Sequence, residues 1–310
     1  MIKKLGAVSV VLPAKNEALS LDPLLLDIRR LLPDAEIIVV DDGSTDNTQD
    51  VCRTHGVTVM SHPYSMGNGA AVKTGARAAS GDVLIFMDAD GQHNPSDILS
   101  LLEKLAEGYD MVVGSRNTES QAGIGRMGAN YIYNTLASWI VNRNIADLTS
   151  GFRVARADKF REFLHLLPNG FSYPTTITMS FFRAGYAIAY VPITAKKRTG
   201  KSHISPLRDG VRFFLIIFKI GTLYSPLKMF LPFSLLFFFT GLGYYAYTFS
   251  TLNRFTNMSA LLLSVSVLIF LIGLVSEQIT MLLYSRRNDL SSPTSATEHL
   301  TSRRDDSRRH

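Results

Sequence analysis

Cysteine is nearly absent from this sequence, since Cys52 is the one cysteine among 310 residues. A single cysteine excludes an internal disulfide bond and is compatible with a reducing compartment such as the cytosol. Free cysteines commonly behave as small apolar residues of the interior, so we predict an inert thiol in the core.

The amino terminus lacks a cleavage pattern. Lys3 and Lys4 precede a short apolar run, as they would in a secretory signal peptide, but Pro13, Lys15 and Glu17 interrupt that run. No small-residue cleavage site follows, so we expect a first β-strand in a cytoplasmic domain.

Two common nucleotide-binding motifs are missing. No GxGxxG pattern follows the first apolar run, which disfavours a dinucleotide-dependent oxidoreductase. The segment GNGAAVKT, residues 67–74, has a lysine and threonine in the places that a P-loop requires. Its residue before the lysine is Val72, where a P-loop needs glycine, so this motif is excluded as well.

Charge is almost absent from Met229 to Thr248 and from Ala260 to Val275. The first run is about twenty residues long, and Ile279 to Tyr284 can extend the second across a hydrocarbon core of about 30 Å. We predict transmembrane helices at 228–250 and 258–284. The preceding segment, 206–227, mixes apolar residues with basic ones and predicts an amphipathic helix and linker at the lipid interface.

The positive charge lies mainly beside these apolar runs. The chain has a net charge of +6, and its last residues contain three arginine pairs. Basic segments next to membrane spans indicate a cytoplasmic face and contact with anionic membrane lipid. We therefore expect an integral protein of the plasma (inner) membrane with both termini cytoplasmic, a basic and disordered tail at 285–310, and no nucleic-acid partner.

An acidic loop follows the most apolar strand of the predicted soluble domain. Val83 to Met87 run directly into Asp88 and Asp90, with Gln92 two residues later. Carboxylates at the end of a buried strand are suited to Mg²⁺ or Mn²⁺, which use few protein ligands together with substrate phosphates. The alternative is ordinary turn chemistry, since Asp, Gly and Asn are common after strands.

The amino-terminal part alternates strands and helices, which predicts an α/β fold with a mostly parallel, Rossmann-like sheet. Val8–Leu12 and Ile37–Val40 are predicted strands on either side of a helix at 19–32, and the second strand ends in Asp41 and Asp42. Open α/β sheets bind ligands at this edge. Further predicted strands are 57–60, 111–114 and 187–193. Further predicted helices are 46–52, 70–79, 95–105, 130–140, 158–166 and 175–183.

Basic side chains occur in two later loops. Arg116 and Arg126 bracket a segment that contains Gly and Ser. Arg198, Lys201 and His203 lie in the sequence RTGKSHIS, where they are suited to anion contacts. The alternative for this late segment is a solvated basic loop.

Taken in order, these segments resemble family 2 glycosyltransferases. The segments are VVLPAKNE, VDDGSTDNT, MDADGQH, VGSR, DLTSGFR and RTGKS. More closely, they are similar to the polyprenyl-phosphate branch, which includes dolichol-phosphate mannose synthases and undecaprenyl-phosphate glucosyltransferases. The resemblance covers about residues 6–205 and implies a GT-A catalytic domain over 1–205. The processive polysaccharide synthases of the family carry a QxxRW motif, which the one tryptophan, Trp139, lacks.

The resemblance implies a role for each matching residue. The nucleoside pocket of the donor would be lined by Pro13, Ala14, Glu17 and Asp42. Asp88 and Asp90 would bind the metal, with Gln92 as a third ligand and Asp88 also near the donor. The acceptor phosphate would meet Arg116, Arg126 and Ser150, and the sugar diphosphate would meet Arg198 and Lys201. Asp147 is either a base or sugar ligand, or a structural cap for Ser150 and Gly151.

The implied reaction is an inverting, metal-dependent transfer of a hexose from a GDP-mannose or UDP-glucose type of donor. The acceptor would be a polyprenyl phosphate, dolichyl or undecaprenyl, at the cytoplasmic membrane face. Two alternatives remain open, namely a membrane glycosyltransferase for a glycan, lipid or protein acceptor, and a non-catalytic nucleotide-sugar sensor. Glu277, near one end of a predicted span, could pair with a basic residue, contact a second subunit in a homo-oligomer, or be solvated.

Overall fold

A computed structural model describes residues 5–116, 134–170, 172–194, 218, 221–222 and 224–288. The chain divides into two compact units, Met1–Ile217 and Phe218–His310. Most of the predicted interfacial helix, the loop with Arg198 and Lys201, the residue Arg126, and the tail after residue 288 lie outside the described part.

The described strands of the first unit form one seven-stranded sheet. The strands are β1 (Val8–Ala14), β2 (Glu36–Asp41), β3 (Thr58–Ser61), β4 (Val83–Phe86), β5 (Met111–Arg116), β6 (Arg153–Arg156) and β7 (Ile188–Ile193). Their order is β3-β2-β1-β4-β6-β5-β7. All neighbouring pairs are parallel except those of β6, so the predicted α/β class with a mostly parallel sheet is confirmed.

Helices cover both faces of this sheet, which explains why its strands are continuous apolar runs. Every residue of β4 is buried. One face packs against Leu21, Leu25 and Ile28 of α1, and each such leucine or isoleucine contributes about 1.5–3 kcal/mol by leaving water. The helices of this unit are α1 (Ala18–Leu31), α2 (Thr48–Thr54), α3 (Asn68–Ala78), α4 (Asp97–Ala106), α5 (134–141), α6 (Ala157–Arg161) and α7 (Tyr173–Arg183).

Helix α3 lies unusually close to the sheet because its residues are small. A Cβ atom on Gly75 would lie 2.3 Å from Cγ1 of Val11, so only glycine fits there. The prediction for Cys52 on α2 is also confirmed, since the thiol is fully buried. Burial, together with the charge of Asp41, raises the pKa of Cys52 to about 11.

Strand β6 is not predicted by the pattern of apolar residues. Its four residues, Arg153–Arg156, pair antiparallel with β4 on one side and β5 on the other, and Arg153 is opposite both Phe86 and Val113. Because β6 runs backwards, its first residue lies at the edge where β4 and β5 end. The helix predicted at 158–166 is shorter than expected and ends at Arg161.

The second unit contains two long apolar helices, α8 (Pro226–Leu252) and α9 (Asn257–Asn288). Both are long and apolar enough to cross a membrane, as predicted. Large apolar side chains cover their outer surfaces, and Phe239 is 63% exposed. An apolar outer surface of this kind is typical of helices in contact with lipid rather than water.

The two helices contact one another through small and polar residues. A Cβ atom on Gly241 would lie 3.0 Å from that of Leu262, and the hydroxyl of Ser234 donates to the carbonyl of Ser266 at 3.0 Å. Oε2 of Glu277 accepts from the backbone N–H of Leu227 at 3.3 Å. This contact satisfies one of the amides that the first turn of a helix leaves without an intrahelical partner.

Candidate functional site

The candidate site lies at one edge of the sheet, where the loops after β1, β2 and β4 meet the segment before β6. The parallel direction of β1, β2 and β4 brings their carboxyl ends to the same edge. The antiparallel direction of β6 adds residues 147–152 to that edge. The predicted site residues Pro13, Ala14, Glu17, Asp42, Asp88, Asp90, Gln92, Arg116, Asp147 and Ser150 therefore share one edge.

The first two loops are joined by hydrogen bonds across the β1–β2 boundary. Asn16 has a φ of 56°. Its N–H donates to the hydroxyl of Ser44 at 2.9 Å, and its side-chain oxygen accepts a hydrogen bond from the N–H of Thr45 at 2.7 Å. The N–H of Glu17 donates to Oγ1 of Thr48 at 3.1 Å. These contacts fix the two segments that the resemblance assigns to the nucleoside.

Asp42 organises the loop that follows β3. Asp42 is 5% exposed. Its carboxylate accepts hydrogen bonds from the His62 ring and the Met66 N–H, both at 2.7 Å, the Ser65 hydroxyl at 2.8 Å and the Gly67 N–H at 2.9 Å. Burial opposes ionisation, but these four donors outweigh it and lower the pKa of Asp42 to about 2. Asp42 thus shapes residues 62–67, and its contact with a nucleoside stays a prediction.

The acidic loop extends β4 with alternating burial. Met87 and Ala89 are each 1% exposed, while Asp88 and Asp90 are partly exposed. The N–H of Gln92 donates to Asp90 at 3.2 Å, and the Gln92 side chain belongs to the same loop. Both carboxylates are therefore more accessible than the apolar residues beside them.

The residues present fit a hard divalent cation. Within the described part of the chain no group of three or more His, Cys, Asp and Glu residues could hold a metal on its own. Mg²⁺ and Mn²⁺ commonly use one or two carboxylates and complete their shell with water and phosphate oxygens. Asp88 and Asp90 are suited to this kind of incomplete, oxygen-only site, and their role as metal ligands stays a prediction.

Gly151 packs directly against Asp88. A Cβ atom on Gly151 would lie 2.8 Å from Oδ2 of Asp88, closer than real side chains approach. The contact arises because Phe86 pairs with Arg153, so the residues just beyond them, Asp88 and Gly151, face one another. Glycine at this position therefore leaves room for the carboxylate.

We predict that Gly151→Ala lowers turnover through Asp88 rather than through folding. The added methyl group would lie 2.8 Å from Oδ2 and must displace the carboxylate. A misplacement of about 1 Å can cost about 100-fold in rate. Turnover and the Mn²⁺ concentration for half-maximal activity would both be measured. Gly243→Ala is a control for replacing a glycine, since nothing lies within 4 Å of its Cβ position and, like Gly151, it has no positive φ. Wild-type metal dependence in Gly151→Ala would contradict the prediction.

Arg116 and Asp147 form an ion pair across the β5–β6 region. Nε and Nη2 of Arg116 donate to the Asp147 carboxylate at 2.9 and 3.1 Å, and Nη2 also donates to the hydroxyl of Thr149 at 2.7 Å. The Arg116 side chain is 28% exposed and that of Asp147 is 4% exposed. The arginine therefore keeps a face toward solvent, where an anion could bind.

The same carboxylate caps the turn before β6. Oδ1 of Asp147 accepts from the N–H groups of Thr149 and Ser150 at 3.0 and 3.1 Å. Burial opposes its ionisation, but hydrogen bonding and charge from Arg116 outweigh that effect and lower the pKa of Asp147. A carboxylate with a lowered pKa is a weak base, so these contacts fit the structural cap, and a catalytic role stays a prediction.

The sequence motifs suggest no role for three further residues at this edge. Nδ2 of Asn68 donates to Oδ1 of Asp88 at 3.3 Å. His93 is 8% exposed, and its ring centre lies 5.0 Å from that of Phe152. Burial lowers the pKa of His93, although the charges of Asp88 and Asp90 act in the opposite direction. Asn68 and His93 occur within the GNG and DADGQH segments, but short segments do not reveal which side chains meet.

The third, Arg153, is completely buried. It donates to the carbonyl oxygen of Ser150, and at 3.2 Å to both the Pro174 carbonyl and the Thr178 hydroxyl. These bonds join the loop before β6 to helix α7. Arg153 is the last residue of the motif SGFR, and this position was the one indication in the sequence that it has a role. A sequence does not show that an arginine is buried.

Residues 9–164 match the family model described as Glycosyl transferase family 2. The chain belongs to glycosyltransferase family 2. A second model, described as the GtrB C-terminal hairpin, matches residues 225–282, which include α8 and most of α9. The family resemblance drawn from the sequence motifs is thereby confirmed, and the protein is a glycosyltransferase.

Curated relatives of this glycosyltransferase include enzymes named for polyprenyl-phosphate substrates. The chain is 31% identical over 217 residues to an undecaprenyl-phosphate mannosyltransferase of Micrococcus luteus, a match that covers 64% of this chain and 87% of that protein. It is 28% identical over 214 residues to a dolichyl-phosphate hexose transferase of Haloferax volcanii, with coverage of 68% and 92%.

A solved structure confirms the GT-A fold of this glycosyltransferase. Glucosyl-3-phosphoglycerate synthase from Mycobacterium tuberculosis, in complex with Mn²⁺, UDP and phosphoglyceric acid, superposes with a TM-score of 0.58 and 24% identity. The match covers 71% of this chain and 80% of that one. At this level of identity the likeness establishes the fold alone.

Proposed function

We propose that this glycosyltransferase catalyses an inverting, metal-dependent transfer of a hexose from a nucleotide-diphosphate sugar to a polyprenyl phosphate. The observation that carries the proposal is the meeting of two groups at one sheet edge. The Asp88–Asp90 loop is suited to a cation, and Arg116 beside it is suited to an anion. Burial opposes the charged form of Arg116, but hydrogen bonding and charge from Asp147, with a smaller effect of the Asp88 charge, raise its pKa.

The donor would lie over the loops after β1 and β2. Pro13, Ala14 and Glu17 belong to segments that hydrogen bonds hold in place, which limits the entropy lost when a nucleoside binds. Asp88, Asp90 and Gln92 would hold Mg²⁺ or Mn²⁺. When bound, the ion would neutralise the charge that develops on the departing nucleoside diphosphate. The names of the relatives support a GDP-mannose or UDP-glucose type of donor.

The acceptor would be activated by its own charge. A phosphate monoester has a second pKa of about 6, so a polyprenyl phosphate is mostly dianionic near neutral pH. Its oxygen can attack the anomeric carbon without a strong base, which agrees with the lowered pKa of Asp147. Attack on the face opposite the leaving group inverts that carbon. Arg116, with Arg126 and Ser150, would hold the phosphate, because guanidinium remains charged near neutral pH. Since Nε and Nη2 of Arg116 donate to Asp147 and Thr149, the phosphate would meet its third nitrogen, Nη1.

The hairpin of α8 and α9 would bring the enzyme to its lipid acceptor. We propose that residues 1–205 are the catalytic domain, that 206–227 lies at the lipid interface, and that 228–250 and 258–284 span the membrane. Arg198 and Lys201, at the end of the catalytic domain, would meet the sugar diphosphate near the headgroups. A polyprenyl chain could then stay in lipid while its phosphate reaches the site.

The distribution of charge predicts a cytoplasmic active site. Lys228 lies in the first turn of α8, Arg286 and Arg287 follow the second apolar run, and the connection carries Arg254. By the positive-inside rule both ends of the hairpin face the cytoplasm. In sealed cells we expect an impermeant thiol reagent to label Asn257→Cys and to leave Ser295→Cys unlabelled.

The native Cys52 serves as the internal background, because it is fully buried and its pKa is raised to about 11. Both cysteine variants should become labelled after the cells are permeabilised. Labelling of Ser295→Cys from outside intact cells would reverse the topology and exclude cytosolic sugar nucleotides as donors.

The reaction itself would be tested with membranes from cells that produce the enzyme. GDP-mannose, UDP-glucose and other nucleotide sugars would each be added with undecaprenyl or dolichyl phosphate, and the extracted lipid identified by mass. A new polyprenyl-phosphate hexose is expected with one donor, and membranes carrying Asp90→Asn serve as the control. Sugar found only in protein, in glycan or in other lipid would overturn the proposed acceptor.

A further inference from the structure

The amino end of helix α3 is held in a fixed position at the site edge. The N–H of Gly67 donates to Asp42 at 2.9 Å, and the N–H of Ala70 donates to the carbonyl of Asn169 at 3.1 Å. A Cβ atom on Gly69 would lie 2.1 Å from the carbonyl oxygen of Pro168. Asn68 is therefore anchored on both sides, and the position of its side chain is determined by the fold.

The side chain of Asn68 reaches one oxygen of Asp88. Its Nδ2 atom donates to Oδ1 at 3.3 Å, while Gly151 lies against Oδ2. The Oδ1 atom of Asn68 is buried and has no hydrogen-bond partner within the described residues. The amide orientation follows from charge, because its oxygen would be repelled by the carboxylate and its NH₂ group is attracted.

A neutral donor has a specific advantage beside a metal ligand. A lysine or arginine at this position would cancel much of the charge of Asp88, whereas an amide restricts the carboxylate and leaves its charge for a cation. Groups that hydrogen-bond to metal ligands orient them, and their loss typically costs 10- to 100-fold in metal affinity or activity.

We propose that Asn68 is a positioning residue that holds Asp88 in the orientation required for binding the divalent cation. This inference rests on the proposed function, since it needs a metal ion at Asp88. It assigns to Asn68 no contact with either substrate. Removal of the amide should therefore weaken metal binding, and the enzyme should stay active when it is saturated with the metal ion.

The test measures Mn²⁺ binding without turnover. Full-length protein in detergent would be titrated with Mn²⁺ in the presence of UDP or GDP, without acceptor, and free Mn²⁺ followed by electron paramagnetic resonance. Asn68→Ala is expected to raise the dissociation constant for Mn²⁺ about 10-fold. Its turnover should fall at limiting Mn²⁺ and recover at saturating Mn²⁺, a separation that general damage to the fold does not produce.

Asn68→Leu, which keeps the size of the side chain and favours the helix, provides a second variant in case alanine disturbs folding. Asn144→Ala is the matched control, because this asparagine is exposed. If wild type and control bind Mn²⁺ while both Asn68 variants bind it equally well, the inference is wrong and the proposed function stands. If wild-type protein binds no Mn²⁺ with either nucleotide, the metal-dependent function itself fails. Normal Mn²⁺ affinity with loss of nucleotide affinity would also refute the role in positioning.

Discussion

Replacing Asp90 with asparagine is expected to reduce turnover by roughly two orders of magnitude or more while the fold remains intact. Loss of one electrostatic group aimed at charge developing in a transition state typically costs about 10²–10³ in rate. Asp90 is partly exposed and follows β4 rather than lying within it, so its substitution removes little packing. Transfer of labelled sugar to lipid would be measured beside the thermal unfolding midpoint.

Two further measurements make this result specific to the metal site. Excess EDTA should abolish wild-type activity, and added Mg²⁺ or Mn²⁺ should restore it. Asp27→Asn is a matched control, because Asp27 is exposed and forms a surface pair with Arg30 that contributes little to stability. Full activity of Asp90→Asn, or of the wild type in EDTA, would refute metal-dependent catalysis through this loop.

The second large effect is expected at Arg116. Arg116→Ala should lower kcat/KM for the lipid phosphate by about 10- to 100-fold, the range for losing a hydrogen bond to a charged group. The KM for the sugar nucleotide should change much less. Arg116→Lys should recover only part of the loss, because lysine keeps the charge but its single nitrogen cannot hold Asp147 and Thr149 and also meet the phosphate as separate guanidinium nitrogens can.

A double variant separates acceptor binding from the ion pair within the protein. Arg116→Ala alone leaves the carboxylate of Asp147 without its guanidinium partner at 4% exposure, which is itself destabilising. Arg116→Gln combined with Asp147→Asn replaces the ion pair by two neutral amides. Asp147→Asn alone shows how much activity is lost with that carboxylate. If Arg116 only stabilises the turn, the double variant should be as active as Asp147→Asn. If Arg116 binds the acceptor, the double variant should have a lower kcat/KM for the lipid phosphate than Asp147→Asn, although its stability recovers.

Hydrophobic patterning was sufficient to predict most of the first unit. The strands at Val8–Ala14, Glu36–Asp41 and Val83–Phe86 are buried apolar runs, and a parallel sheet covered on both faces requires such runs. The two carboxy-terminal helices were predictable for a related reason, since a long stretch without charge has few stable environments besides lipid. These features depend on local composition, which a sequence displays directly.

Strand β6 could not be predicted from local composition. Its sequence, RVAR, is short, and half of it is arginine, so neither apolar alternation nor turn chemistry marks it. It is a strand because β4 and β5 both offer it hydrogen-bonding partners. Tertiary context overrides local preference in such short segments.

The sequence by itself determined the family, the sheet edge that carries the candidate site, and the residue types suited to a metal and an anion. Those properties follow from motifs whose chemistry depends on side-chain identity and on position after a strand. Only the tertiary structure decided that Asn68 and Gly151 flank Asp88. It also decided that the Asp42 carboxylate accepts four hydrogen bonds, and that Asp147 pairs with Arg116. The reason is that these contacts join segments 20 or more residues apart, and their geometry depends on the antiparallel direction of β6 and the anchored start of α3.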